Sequence, residues 1–155
     1  MRVRSLIVAL VALAAAASIV GAQTDPSVGT WKLNLAKSKY TTGSAPKSAN
    51  VVIAPSGKGY KLTATVVLAD GKTQTIEYTS MYDGTSAMVT GTPDYDSVVI
   101  KRTADGTSGE RKKADKVVQT FTRTISADGK TMTATAKGTN AAGQKVDNVQ
   151  VFDKQ

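Results

Sequence analysis

The candidate chemistry of this sequence rests on its carboxylates, because the chain contains no histidine and no cysteine. Asp94 and Asp96 stand two residues apart, a spacing that could place two carboxylates beside one calcium ion. A calcium loop of the EF-hand type needs further acids and a closing glutamate, and this stretch has neither. We therefore interpret Pro93-Asp94-Tyr95-Asp96 as a turn between strands.

The sequence also gives little support to an enzyme. Glu77 and Glu110 are the only glutamates, and a glycosidase needs two carboxyl groups about 5–10 Å apart. Glu77 alternates with Ile76 and Tyr78, so we expect its side chain to face water. Without histidine or cysteine, Ser-His-Asp and Cys-His catalysis is excluded, and zinc loses its preferred ligands. We expect no enzymatic activity, no metal site and no cofactor.

The elements that would position any site are β-strands. After residue 27 the chain alternates apolar and polar residues, most clearly over 60–68, 75–79 and 131–137. Such alternation is typical of strands with one face on a core and one in water. Strand signals lie near 28–35, 49–55, 59–69, 73–82, 86–90, 96–104, 108–113, 116–127, 130–138 and 145–153. Some of these segments could be halves of one bent strand.

Asp-Gly pairs separate many of these segments. They occur at 70–71, 83–84, 105–106 and 128–129, and Asp-Gly between alternating runs is a strong hairpin signal. A series of hairpins predicts an antiparallel up-and-down meander, which loses its exposed edges by closing into a barrel. We therefore predict an all-β fold, a lipocalin-like barrel of about eight strands, as the single domain over residues 23–155.

Two connections stand out as loops that could contact a ligand or partner. Residues 36–48 form a long connection with few apolar side chains, and residues 91–96 contain the acidic turn. The first could be a lid over one barrel mouth or a flexible loop. An outer-membrane barrel is not indicated, because aromatic residues make up only 5% of the chain and such barrels carry aromatic girdles.

The first 22 residues resemble a secretory signal peptide. Arg2 and Arg4 precede an apolar run over 6–20, and Val20-Gly21-Ala22 places small residues for cleavage before Gln23. The run is shorter than the roughly 20 residues that span a bilayer, although an uncleaved anchor is the alternative. We expect export to the periplasm or the medium, with no stable membrane insertion after cleavage.

The charge of the chain is moderately basic. Loss of Arg2 and Arg4 with the signal lowers the formal net charge from +8 to +6. The dense runs are Lys101-Arg102 and Arg111-Lys112-Lys113, which could attract anions or could simply be a solvated surface. We favour the solvated surface. Aromatic residues among the basic ones are too few for a nucleic-acid platform, so we expect no nucleic acid.

The first strand carries a family resemblance. Gly29-Thr30-Trp31 on the first strand of a small barrel resembles the lipocalin and wider calycin signature. The stretch 29–39, the Asp-Gly hairpins and the ending 151–155 together resemble a group of small exported bacterial proteins of unknown function. The first resemblance implies a barrel, and the second implies no activity.

The lipocalin resemblance also implies that Trp31 closes one end of the barrel beneath a late arginine. No arginine follows Arg123, which shares strand parity with Phe121 and Ile125 and should point inward. We therefore expect Arg123 to cap Trp31 through a cation–π contact. The alternative is a bulge that turns Arg123 to solvent.

The inward residues predict what the barrel could hold. Small side chains at Ala64, Ala134, Ala136 and Ser80 favour a cavity, although a packed core is the alternative. The first hypothesis is binding of a small, mostly apolar ligand. Its predicted contacts are Trp31, Tyr60, Tyr78, Tyr82, Phe121 and Arg123. The second is a protein-interaction or inhibitor module that uses loops 36–48 and 91–96 around a filled barrel. The oligomeric state stays open.

Overall fold

The computed structural model describes residues 24–40 and 45–155, so the predicted signal peptide over 1–22 lies outside the described residues. Ten strands follow one another: β1 (Gly29–Leu33), β2 (Ser48–Ser56), β3 (Gly59–Val67), β4 (Thr73–Ser80), β5 (Asp83–Met88), β6 (Ser97–Arg102), β7 (Gly106–Lys113), β8 (Lys116–Ile125), β9 (Thr131–Thr139) and β10 (Lys145–Lys154). A short 3₁₀ helix covers Leu35–Lys37. None of the described helical segments is long and apolar enough to cross a membrane.

The strands form an antiparallel meander that bends into a barrel. Their order is β4-β3-β2-β1-β10-β9-β8-β7-β6-β5, with the first and last strands of the chain side by side. The all-β meander is as predicted, but the expected count of about eight strands is wrong. The sequence contains ten strand signals, and the lower count allowed some of them to be halves of one bent strand, whereas all ten form separate strands. For example, β7 and β8 are separated by a tight turn at Ala114 and Asp115, both at positive φ (47° and 61°).

One predicted hairpin is also absent from its expected place. Asp83-Gly84 opens strand β5 instead of forming a turn, and the chain reverses at the preceding Met81-Tyr82, where Tyr82 has φ 58°. Strands β4 and β5 are not paired as a ladder. The barrel is nearly closed here by a bridge between Glu77 and Thr90, with N–H···O distances of 3.2 and 3.0 Å.

The meander places its turns alternately at two ends of the barrel. We call one end the mouth, which the connections 34–47, 68–72, 89–96, 114–115 and 140–144 surround, and the other the base. The largest fully buried side chains are Trp31, Ile53, Val98, Ile100 and Met132. Outward positions carry polar residues, as in the hydroxyl pair of Thr122 and Thr135 at 2.7 Å.

Gly91 tests the near-closure of the barrel. It has φ +84°, and a Cβ added there would lie 1.7 Å from the backbone oxygen of Thr75. We expect Gly91→Ala to combine about 1–2 kcal/mol of left-handed strain with about 1–3 kcal/mol of overpacking. The free energy of unfolding in urea measures the sum.

Gly129→Ala is the matched control, because Gly129 also has positive φ (+69°) but no neighbouring atom within 4 Å of an added Cβ. It should show only the strain, about 1–2 kcal/mol. If both variants lost the same free energy of unfolding, the close approach of Gly91 to the Thr75 backbone would not contribute to the stability of the barrel.

Candidate functional site

The interior of the barrel contains a cavity of about 410 Å³. Short side chains create it: Ala64 lies between Val51 and Ile76 across three neighbouring strands, and Ala136 lies beside Phe121. The aliphatic lining consists of Ala49, Val51, Leu62, Ala64, Val66, Leu68, Ala69, Ile76, Ala134, Ala136 and Val146. Three of the four small residues expected to leave room therefore do line the cavity, and Ser80 does not.

The mouth of the cavity is bordered by both loops that the sequence singled out. Tyr40 and Pro46 come from the 36–48 connection, and Thr92, Asp94 and Tyr95 come from the 91–96 connection. The Tyr40 hydroxyl accepts a hydrogen bond from Gln150 Nε2 at 3.1 Å. Residues 41–44 of the longer loop lie outside the described part of the chain.

The acidic turn acts as a brace between loops. The Asp94 carboxylate accepts a hydrogen bond from the backbone N–H of Ala141 at 2.9 Å. Asp96 accepts one from the backbone N–H of Ala114 at 3.0 Å. These bonds tie the 91–96 loop to the β7–β8 turn and, across the mouth, to the β9–β10 turn. Among residues 24–40 and 45–155 there is no cluster of three or more potential metal ligands.

Arg123 points into the barrel and is only 7% exposed. Its Nη2 donates a hydrogen bond to the Tyr78 hydroxyl at 2.8 Å, and its guanidinium carbon lies 5.9 Å from the Phe121 ring centre. Its Nη1 and the hydroxyl of Tyr82, with which Arg123 interacts electrostatically, are both buried and lack a hydrogen bond of standard geometry. Arg123 and Tyr78 both line the cavity.

The expected cap of Arg123 on Trp31 is wrong. The cation over the Trp31 ring is Lys154, with Nζ 5.0 Å from the ring centre, and no such contact to Arg123 is found among the described residues. The register explains this, because β1 pairs with β10 and places Lys154 directly opposite Trp31. Arg123 is on β8, which is separated from β1 by β9 and β10.

Arg111 is a cavity residue that the sequence analysis placed on a solvated surface. Its guanidinium carbon lies 4.9 Å from the ring centres of both Tyr95 and Phe121, and its Nη1 donates to Gln119 Oε1 at 2.8 Å. A register shift between β7 and β8 occurs immediately after Arg111. That irregularity breaks the alternation, so parity in the basic run 111–113 could not show which side chain points inward.

The base of the barrel holds a separate aromatic group. Tyr60 and Tyr82 stack with ring centres 5.1 Å apart, and Arg102 lies about 5 Å from both rings. Arg102 also forms an ion pair with Asp25. A groove of about 500 Å³ lies beside this group, between residues 25–27 and the turns that follow β6 and β8.

The six predicted ligand contacts thus divide between two places. Tyr78 and Arg123 line the cavity, whereas Trp31, Tyr60, Tyr82 and Phe121 are not among its lining residues. All six are packed within or against the core. The alternation of residues along a strand predicts which side chains point inward, but it does not predict how far along the barrel axis they lie. Ligand contact at Tyr78 and Arg123 stays a prediction.

Comparison with known proteins found a similar structure but no matching sequence family. No family model matches the chain, and no curated protein sequence matches it. The structure is similar to the crystal structure of the zebrafish ileal bile acid-binding protein complexed with cholic acid, with a TM-score of 0.51 and 11% sequence identity. The similarity covers 84% of this chain and 100% of that chain. The chain therefore has the fold of a nearly closed antiparallel barrel.

Asp25 gives a pH-dependent test of the base. Burial alone would raise its pKa, but hydrogen bonds from Ser27 and the nearby Arg102 lower that pKa below its ordinary value of 3.8. The charged form of Asp25 therefore stabilises the fold above the unfolded-state pKa, and this stabilisation is lost as pH falls through the lower folded-state pKa. We expect Asp25→Asn to reduce the free energy of unfolding by about 1–3 kcal/mol at neutral pH.

Because protons bind the carboxyl progressively as pH falls toward its lowered folded-state pKa, the difference between the two proteins should be smaller at about pH 2 than at pH 7. Urea unfolding at both pH values measures it. Asp115→Asn, in an exposed turn, is the control and should cost little at either pH. A loss for Asp25→Asn that is the same at both pH values would contradict the ionic role of Asp25.

Proposed function

We propose that the protein is an exported, non-enzymatic binder of one small, mostly apolar molecule, which it holds inside the barrel. The observation that carries this proposal is the interior cavity of about 410 Å³. Ligand sites in proteins are clefts or cavities of about 300–1,000 Å³ with mostly apolar walls and a few convergent polar groups. The aliphatic lining together with Tyr78, Arg111 and Arg123 has that composition.

The fold similarity supports the same proposal. The structure of the zebrafish protein contains cholic acid, a small lipophilic molecule, in complex with a protein whose fold resembles this one. At 11% identity the likeness concerns the fold alone. It supports a barrel that can accommodate a ligand and does not identify the ligand of this chain.

The alternative, a protein-interaction or inhibitor module, has less support. It requires a filled barrel and a contiguous exposed apolar patch. The exposed large apolar side chains belong to five different segments of the described chain, at Leu35, Val52, Met81, Met88 and Val117. Residues of loops 36–48 and 91–96 border the cavity. Their position therefore also suits loops that control the entry of a small molecule into the cavity.

Export is proposed from the sequence of residues 1–22. We expect a bacterial host expressing the full chain to release a mature protein that begins at Gln23, measured by N-terminal sequencing of the periplasmic fraction and medium. Ala22→Tyr puts a bulky side chain where the peptidase needs a small one and should leave the precursor uncleaved. A parent protein that retains Met1 in the cytosol would contradict export.

Ala134→Phe tests the cavity as the binding site, because Ala134 lines it and a phenyl ring would occupy its volume. We expect the variant to bind the neutral fluorescent probe N-phenyl-1-naphthylamine at least about tenfold more weakly, equivalent to about 1.4 kcal/mol. Fluorescence titration of the purified mature protein measures the affinity, and circular dichroism verifies that the variant is folded.

Thr133→Phe is the matched control, since the neighbouring position on the same strand faces the opposite side of the sheet and does not line the cavity. Its affinity for the probe should be that of the parent. Unchanged binding in Ala134→Phe, or equal loss in both variants, would rule against the interior as the binding site.

A further inference from the structure

We propose that the ligand carries an anionic group, such as a carboxylate or sulfonate, and that Arg123 binds this group deep in the barrel. This inference rests on the proposed function and adds the chemical class of the ligand. It describes a molecule with one acidic end and an apolar body, inserted with its acidic end toward the base.

The first observation is that Arg123 is a buried cation without a counterion. Within residues 24–40 and 45–155, the ion pairs involve other basic residues, and no carboxylate pairs with Arg123. Arginine is almost never buried to this degree unless paired, because removal of its charge from water is costly. By contrast, the half-exposed Arg102 at the base does pair with a carboxylate, the buried one of Asp25.

The hydroxyl groups around Arg123 do not supply the missing negative charge. Tyr78 accepts one hydrogen bond from Nη2 but carries no charge as a phenol. Burial raises the pKa of Tyr82 above its ordinary value, so this neighbouring phenol remains neutral at neutral pH. The guanidinium therefore has no anionic partner, and its buried Nη1 has only the neutral Tyr82 hydroxyl as an interacting neighbour.

The second observation is that donors converge beside open space. The Tyr78 oxygen accepts from Arg123, so its own proton is available to an acceptor, and both side chains line the cavity. Ala134 is directly opposite Arg123 in the ladder, with Gln150 on its other side. The short side chain of Ala134 leaves room next to the guanidinium. An anionic oxygen placed there would accept charge-assisted hydrogen bonds.

The other charged lining groups favour the same orientation. Arg111 lies near the mouth end of β7 and already donates to Gln119. Asp94, the one carboxylate among the described lining residues, also belongs to the mouth and braces Ala141. An acidic ligand group avoids Asp94 and reaches the unpartnered cation when it lies toward the base. The aliphatic wall between the two ends then surrounds the apolar body.

The experiment compares two dyes that share a naphthylamine body and differ in charge: N-phenyl-1-naphthylamine and its sulfonate, 1-anilinonaphthalene-8-sulfonate. Arg123→Gln should weaken binding of the sulfonate by at least about tenfold and change binding of the neutral dye by less than about threefold. Lys101→Gln, an exposed cation on β6 away from the cavity, is the control and should bind both dyes like the parent protein.

A second measurement needs no variant. Dodecanoate should displace the neutral dye from the parent protein at a concentration at least about tenfold lower than dodecan-1-ol does. Equal potency would overturn the anionic class. Displacement of the sulfonate dye by millimolar sulfate alone would show a site for inorganic anions, and it would overturn the requirement for an apolar body.

The outcomes separate this inference from the proposed function. If the neutral dye binds in the cavity but the sulfonate binds equally well to the parent and to Arg123→Gln, the anionic group is disproved and the proposed function stands. If neither dye nor dodecanoate binds the folded parent protein, the proposed function fails.

Discussion

The pairing of the first strand with the last is the constraint on which the rest of the structure depends. The backbone N–H of Asn34 donates to Val151 at 2.8 Å, and that of Gln155 donates to Thr30 at 2.9 Å. These bonds join residues more than one hundred positions apart, so they close most of the chain into one loop at an entropic cost. In return, the meander becomes a nearly closed ring, and β1 and β10 are covered on both sides.

Within that ring, the distribution of side-chain size decides where space remains. Trp31, Ile53 and Ile100 are fully buried near the base, and Trp31 is fixed there by its hydrogen bond to Ser27 O at 2.8 Å. Further along the same inward face the side chains are shorter, as at Ala64 and Ala136. Close packing around Trp31 and shorter side chains above it leave the interior space toward the mouth of the barrel.

The sequence predicted the strands well where alternation is regular and less well where it breaks. The run 131–137 became β9 with Met132 buried and its threonines outward. The strand count was too low because all ten segments with strand signals form separate strands. Asp83-Gly84 is not a turn because the chain reverses just before it, where Tyr82 adopts a positive φ without glycine. The barrel expected from the resemblance at Gly29-Thr30-Trp31 agrees with the nearly closed antiparallel barrel that is observed.

The sequence by itself determined which side chains face inward, since alternation along one strand is a local property. It therefore identified Tyr78 and Arg123 as interior residues and the alanines as a source of space. Only the tertiary structure decided which interior residues meet, because register between distant strands depends on how the whole ring closes. That is why Lys154 covers Trp31, and why Arg123 contacts Tyr78 at the cavity with no carboxylate as its partner.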